Sequence, residues 1–125
     1  MNWDTTRDTL YADHRDVTLK AHEGHSTKGL LLQTTSRFYD HLGLRSPVLI
    51  TGKLIFQDSW FRGVGWDELL LDDLGTRWSN SLKLLPELLD IHIPRWVGTT
   101  GEGNGQVHVF CDASERAYGA VLYIS

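Results

Sequence analysis

The run Thr99-Thr100-Gly101-Glu102-Gly103-Asn104-Gly105-Gln106 constrains this chain more than any other feature, because three glycines among polar residues form neither helix nor strand. Apolar residues ahead of the run recur at helical spacings, and those behind it alternate with a period of two. The run therefore reads as a linker, with its boundary near 98–105, between a mainly helical part and a terminal pair of strands.

In the terminal part, Val107, Val109 and Cys111 fall on one side of a strand and His108, Phe110 and Asp112 on the other. Residues 117–124, AYGAVLYI, form a second run rich in β formers, and Ala113-Ser114-Glu115-Arg116 joins the two as a hairpin. The face bearing Val107, Val109 and Cys111 is expected to be buried. Cys111 then reads as a small packed thiol rather than a nucleophile.

The part before the linker divides by its caps and breakers. Residues 3–11, WDTTRDTLY, place apolar residues at both ends of a polar centre, which predicts a small hairpin. Residues 12–25 carry no sustained apolar period and read as a connector. Ser26 or Thr27 caps a helix whose face includes Leu30, Leu31, Phe38 and Leu42 and which stops at Gly43. Ser46-Pro47 opens a second helix through Val48, Ile50, Leu54, Ile55 and Phe56 to Trp60-Phe61, before Gly63 and Gly65, with Gly52 inside it. A third helical stretch covers 67–90, with Trp78, Leu82 and Leu85 on one face and possible breaks at Gly75 and Pro86. Residues 91–97 alternate like an edge strand, where Pro94 is tolerated.

Composition narrows the function classes. The 125 residues are 41% hydrophobic, enough for a modest core. A formal net charge of -4 supplies no global attraction to nucleic acid, so any such contact must be local or come from elsewhere. One cysteine excludes an internal disulfide framework and is compatible with a reducing compartment. The N-terminus has neither the basic start nor the apolar run of a signal peptide, and no segment is apolar for long enough to span a membrane. The expectation is a soluble intracellular protein of cytoplasm or nucleus, the compartment itself being open.

Candidate chemistry is sparse. Asp112 sits where a strand ends and a turn begins, so its carboxylate can either cap that turn through the amides of Ala113 or Ser114 or reach a hard cation such as magnesium. His22-Glu23-Gly24-His25 sets its histidines three apart with a glycine between, not the four-residue helical spacing of a zinc site. His92 and His108 read as cross-strand packing residues. Trp60 and Trp78 lie on apolar helical faces and are expected in the core rather than as base-stacking platforms. There is no Asp-Thr/Ser-Gly of an aspartic protease, no phosphate loop ending in Lys-Ser/Thr and no Gly-x-Ser-x-Gly elbow.

Taken in order, TKGLLLQTTSRFYDHLGLRSPVLITGKLIFQDSW, GVGWDELL, IHIPRWVG and HVFCDASERAYGAVLYIS resemble the polyprotein of Pao/BEL-type LTR retrotransposons over nearly the whole chain. The family has Phe-Asp-Pro-Leu-Gly before Ser-Pro-Val, and Phe38-Tyr39-Asp40-His41-Leu42-Gly43 departs from it, whereas Ile93-Pro94-Arg95-Trp96 is intact. Asn2-Trp3 is similar to the residues that follow the end of a polymerase palm, which would make Met1 internal to a longer frame. No Tyr/Phe-x-Asp-Asp pair is present, so DNA synthesis by this chain is not expected.

The resemblance implies an α+β chain. Residues 1–25 would be the end of the reverse transcriptase palm and a connector, 26–98 a thumb or connection region of about three helices, 99–105 the linker, and 106–125 the first two strands of a ribonuclease H domain. Phe110-Cys111-Asp112-Ala113-Ser114 with Ala117 to Leu122 is its most specific part. It implies Asp112 as catalytic and metal-binding, the first of four acidic residues that hold two magnesium ions at the scissile phosphate. Glu115 matches none of the others, which would lie beyond Ser125. The implied partners are an RNA:DNA hybrid or primer-template and the rest of the polyprotein, with Mg2+ bound in the intact parent and not tightly here. A peptidase label is often attached to this family segment, and the missing Asp-Thr/Ser-Gly gives it no chemical support. The rival expectation is a repurposed or relic interaction module that binds protein or nucleic acid while Asp112 merely caps a turn.

Overall fold

A computed structural model describes residues 1–38, 40–96, 98 and 105–125. Strand β1 (Asn2–Asp4) pairs antiparallel with β2 (Thr9–Tyr11), as the polar centre of that segment predicts, in the register Asn2 to Tyr11 and Asp4 to Thr9. The Asp4 carboxylate closes the turn by accepting from the amides of Thr6 and Arg7 at 2.9 and 3.2 Å. Strand β3 (Ile93–Pro94) adds to the far side of β2, giving the order β1-β2-β3. Pro94 thus occupies an edge, where its missing N–H costs no ladder bond.

Between β2 and β3 lies the helical body. Residues 12–25 differ from the expected connector, because Arg15–Glu23 form helix α1. Val17 and Ala21, one turn apart, bury against the other helices, and that short stripe suffices although Leu19 stays exposed. Helix α2 (Lys28–Arg37) starts as expected, with the Thr27 hydroxyl accepting from the Leu30 amide at 3.2 Å. It ends before Phe38, ahead of the expected stop at Gly43, and Leu42 is exposed rather than on its apolar face. A turn follows in which the Asp40 carboxylate accepts from the Arg45 amide at 2.7 Å and Gly43 adopts φ +73°.

Helix α3 (Ser46–Phe61) carries Pro47 in its first turn and ends before Gly63, whose φ of +68° an L side chain rarely adopts. Its buried line is Leu49, Gly52, Ile55 and Ser59. Gly52 is where α3 meets α2: a Cβ there would run into the Thr35 methyl and stand 3.7 Å from the Trp78 ring. Helix α4 (Asp72–Leu84) begins later than the expected stretch and is not broken at Gly75, while Pro86 does end it, and a 3₁₀ turn (Leu85–Asp90) continues the chain. The loop before α4 is stitched onto the start of α2 by Leu70 N–H to Ser26 O at 2.7 Å and Gly29 N–H to Trp66 O at 3.0 Å. Leu31, Ile55, Leu74 and Trp78, each at most 2% exposed, form the centre of the core.

The terminal residues form a separate antiparallel hairpin, β4 (Val107–Ala113) with β5 (Tyr118–Ile124). Its open end is closed by reciprocal bonds between Gln106 and Ser125, both at 3.0 Å. The architecture is the expected α+β one, with N-terminal strands, a helical middle and a C-terminal hairpin. Of the expected linker only Gly105 is described; Val97 and residues 99–104, like Tyr39, lie outside the described residues. Among the described residues no helix is long and apolar enough to cross a membrane.

Candidate functional site

Asp112 is the penultimate residue of β4, directly across the ladder from Gly119. Opposite residues of an antiparallel pair share a face, and here the partner has no side chain, so the carboxylate has an open flank. An atom placed at the Cβ position of Gly119 would meet nothing within 4 Å. Asp112 Oδ1 accepts from the Ala113 amide at 2.9 Å, and Oδ2 makes no hydrogen bond among the described residues.

The turn itself is organised by Ser114. Its hydroxyl accepts from the amides of Arg116 and Ala117, each at 3.2 Å, and donates to the Ala117 carbonyl at 3.1 Å, while its own amide donates to that carbonyl at 2.8 Å. Asp112 therefore touches one amide of the turn that the sequence allows it to cap, and Ser114 makes the bonds across it.

The face shared by Asp112 and Gly119 also carries His108 opposite Tyr123 and Phe110 opposite Val121. Phe110 and Tyr123 meet edge-on at 6.0 Å between ring centres, and His108 Nε2 lies 3.1 Å from the Ser125 hydroxyl. The other face carries Val107, Val109, Cys111 and Ala113 with Tyr118, Ala120, Leu122 and Ile124, every one apolar. It was the face expected to be buried, yet neither face is: Tyr118 is 89% exposed, and Cys111 is an exposed free thiol rather than a packed one. The alternation is as expected, but every residue of both strands is exposed.

Among the described residues, one side-chain ion pair ties the hairpin to the helices. Arg116 Nη2 lies 2.6 Å from Asp58 Oδ1, and Arg77 Nη1 on α4 holds Asp58 Oδ2 at 2.7 Å. The hydrogen bonds from Arg116 and then Arg77 keep the Asp58 carboxyl below its ordinary pKa. Arg77 also approaches Asp73 at 4.0 Å, and Asp73 pairs with Arg62 at 2.5 Å. Nothing local in the sequence signals the Asp58–Arg116 pair, whose members are 58 positions apart.

The other sequence candidates separate. Trp78 is in the core, 1% exposed, with its Nε1 unpartnered among the described residues, but Trp60 is 66% exposed and is not a core residue. Trp60 instead offers its ring to Lys28, whose Nζ sits 4.4 Å from the ring centre and donates to the Val64 carbonyl at 3.0 Å. His92 packs across strands as expected, stacked on Tyr11 at 5.1 Å. His22 and Glu23 end α1 and Gly24 caps it.

Among the described residues no group of three or more His, Cys, Asp or Glu could hold a metal ion. One carboxylate does not fit a two-magnesium centre, so the residues present do not build one by themselves. In comparisons with known proteins, a family model described as Pao retrotransposon-like RNaseH-like domain matches residues 27–125. No curated protein and no solved structure matches the chain.

Proposed function

Because the chain belongs to the Pao retrotransposon-like RNaseH-like domain family, we propose that it is a segment of a retrotransposon polyprotein that helps the parent handle a primer-template or RNA:DNA hybrid. The helical body stands for the thumb or connection region in this reading, and β4–β5 for the opening strands of the ribonuclease H domain. The observation that carries it is the placement of Asp112: near the end of the first of those strands, with one carboxylate oxygen unbonded among the described residues and a glycine opposite. The side chain is available to a cation or to water-mediated contact with a phosphate rather than consumed by the turn.

The same site argues against catalysis by the chain alone. Hydrolysis of a phosphodiester by two metals needs several carboxylates converging on them, and among the described residues Asp112 belongs to no group of three or more metal-ligating side chains. Magnesium belongs to the intact parent in this reading, together with the hybrid and the remainder of the polyprotein as partners.

Binding and cleavage of an RNA:DNA hybrid by the full chain, with and without Mg2+, test the proposal. The expected result is hybrid binding without cleavage. Magnesium-dependent cleavage abolished by Asp112→Asn would overturn the non-catalytic part. Binding indifferent both to magnesium and to Asp112→Asn favours a pure interaction module, a reading that the bond from the Ala113 amide to Asp112 supports.

A further inference from the structure

Trp60 and Phe61 stand on the outer side of α3, 66% and 78% exposed. Lys53, Gln57, Trp60 and Phe61 follow one another at i, i+4, i+7 and i+8, so they share one face of the helix. That face lines an open groove of about 560 Å³, to which the turn of the terminal hairpin contributes Arg116. The ionisable residues on the groove are both cations, Lys53 and Arg116.

The charges bordering the groove are positive in excess, although the whole chain stands at -4. Lys28 is 5% exposed, its ammonium lies over one face of the Trp60 ring, and it donates to the neutral Val64 carbonyl rather than to a carboxylate. Among the described residues Lys53 makes no ion pair. Asp58 is shared between Arg77 and Arg116, so it offsets one of those two cations and not both. Arg116 spends Nη2 on Asp58, and its other N–H groups make no hydrogen bond among the described residues.

We infer that the groove beside α3 binds single-stranded nucleic acid, with a base stacked on the open face of Trp60 and the adjoining phosphates against Lys53 and Arg116. An indole held from one side and open on the other, with cations along a groove next to it, offers an unpaired strand both things it needs: a ring for its base and charge for its backbone. An apolar protein surface would instead bury Lys53 without a counter-charge. Stacking and phosphate contacts make no use of the 2′-hydroxyl, so RNA and DNA strands both fit. The inference rests on the nucleic-acid reading above and deepens it by giving the unpaired strand a surface of its own.

Fluorescence anisotropy of the full chain with labelled strands tests it, using oligodeoxyadenylate, oligoadenylate RNA and an abasic DNA strand of the same length over a range of salt. The expected result is salt-dependent binding of both adenylates, with the abasic strand at least about tenfold weaker because it has phosphates and no bases. Trp60→Ala should bring the adenylates down to the abasic level with unchanged far-ultraviolet circular dichroism, and Trp60→Phe, which keeps a ring, should recover most of the loss. Lys53→Gln should weaken all strands alike and lower the salt slope by about one. An abasic strand bound as tightly as the adenylates overturns the inference, and so does undiminished binding by Trp60→Ala. A blunt RNA:DNA hybrid separates this inference from the broader reading. Hybrid bound while single strands are ignored overturns the groove alone, whereas single strands bound through Trp60 while the hybrid is ignored support the groove and overturn the hybrid reading.

Discussion

Gly52 of α3 lies against Thr35 of α2 so closely that no methyl group fits between them. The Thr35 hydroxyl is committed to the Leu31 and Leu32 carbonyls at 2.9 and 3.1 Å, which fixes the rotamer that presents its methyl to Gly52. The two helices owe their close approach to this pair.

Gly52→Ala is therefore expected to destabilise the protein although alanine is the better helix former. Overpacking of a tight contact costs about 1–3 kcal/mol. The gain in helix propensity is close to 1 kcal/mol, about the lower end of that cost. Urea denaturation followed by tryptophan fluorescence reads the midpoint, and the double variant with Thr35→Ser should recover most of the loss because it removes the obstructing methyl.

Acid should weaken the helical body through Asp58. Its folded pKa is depressed by Arg116 and Arg77, so the unfolded chain takes up the proton first as pH falls. The stabilisation is fully present above the unfolded value of about 4 and is lost progressively as pH drops towards the folded value. Asp58→Asn should lower stability at neutral pH and flatten the acid limb of a stability profile measured by urea midpoints between neutrality and strong acid.

His14 should act in a higher window. Burial first, and the charge of Arg45 second, lower its pKa in the folded protein. Above the unfolded value of about 6.5 the residue is neutral in both states and contributes no pH dependence. Below it the unfolded chain protonates first, so stability falls with pH until the folded value is passed. A titration of the His14 ring proton resonances checks the direction of the shift, and His14→Phe should remove this part of the slope.

Asp112→Asn should leave stability unchanged within about 0.5 kcal/mol, as for exposed substitutions away from caps and cores. The amide oxygen can still accept from Ala113, Gly119 opposite offers nothing to clash with, and Ser114 keeps the turn. Thermal unfolding checks this, and an unchanged midpoint makes the variant a clean probe of what the carboxylate binds.

How much of this was legible in the residues depended on how local each signal is. Helix α3 could be read to its last residue because Ser46-Pro47 and Gly63 punctuate it, and the terminal hairpin because two β-rich runs flank a four-residue turn. Helix α1 escaped because its buried stripe is only Val17 and Ala21, too short to establish a period. Trp60 was misplaced for the opposite reason: α3 is apolar on two sides, and a pattern cannot tell which one its neighbours cover. The Asp58–Arg116 pair joins distant segments and leaves no sequence trace. Asp112 was found as a turn-flanking carboxylate, but the residues alone favoured the turn cap, and only the family likeness favoured the cation.

Strand β2 pairs with β3 across more than eighty residues, Thr9 meeting Pro94 and Leu10 meeting Ile93. Every helix of the body lies within that span. The β1–β2 pairing is local, but the β2–β3 pairing is highly non-local: β3 reaches β2 only once the helices have brought both ends of the segment to one place. The third strand is then a latch on the finished body. Arg95 reinforces it, pairing with Asp8 at 2.6 Å and lying over the Trp3 ring. The chain therefore enters and leaves the helical body at one place, where the rings of Tyr11 and His92 stack.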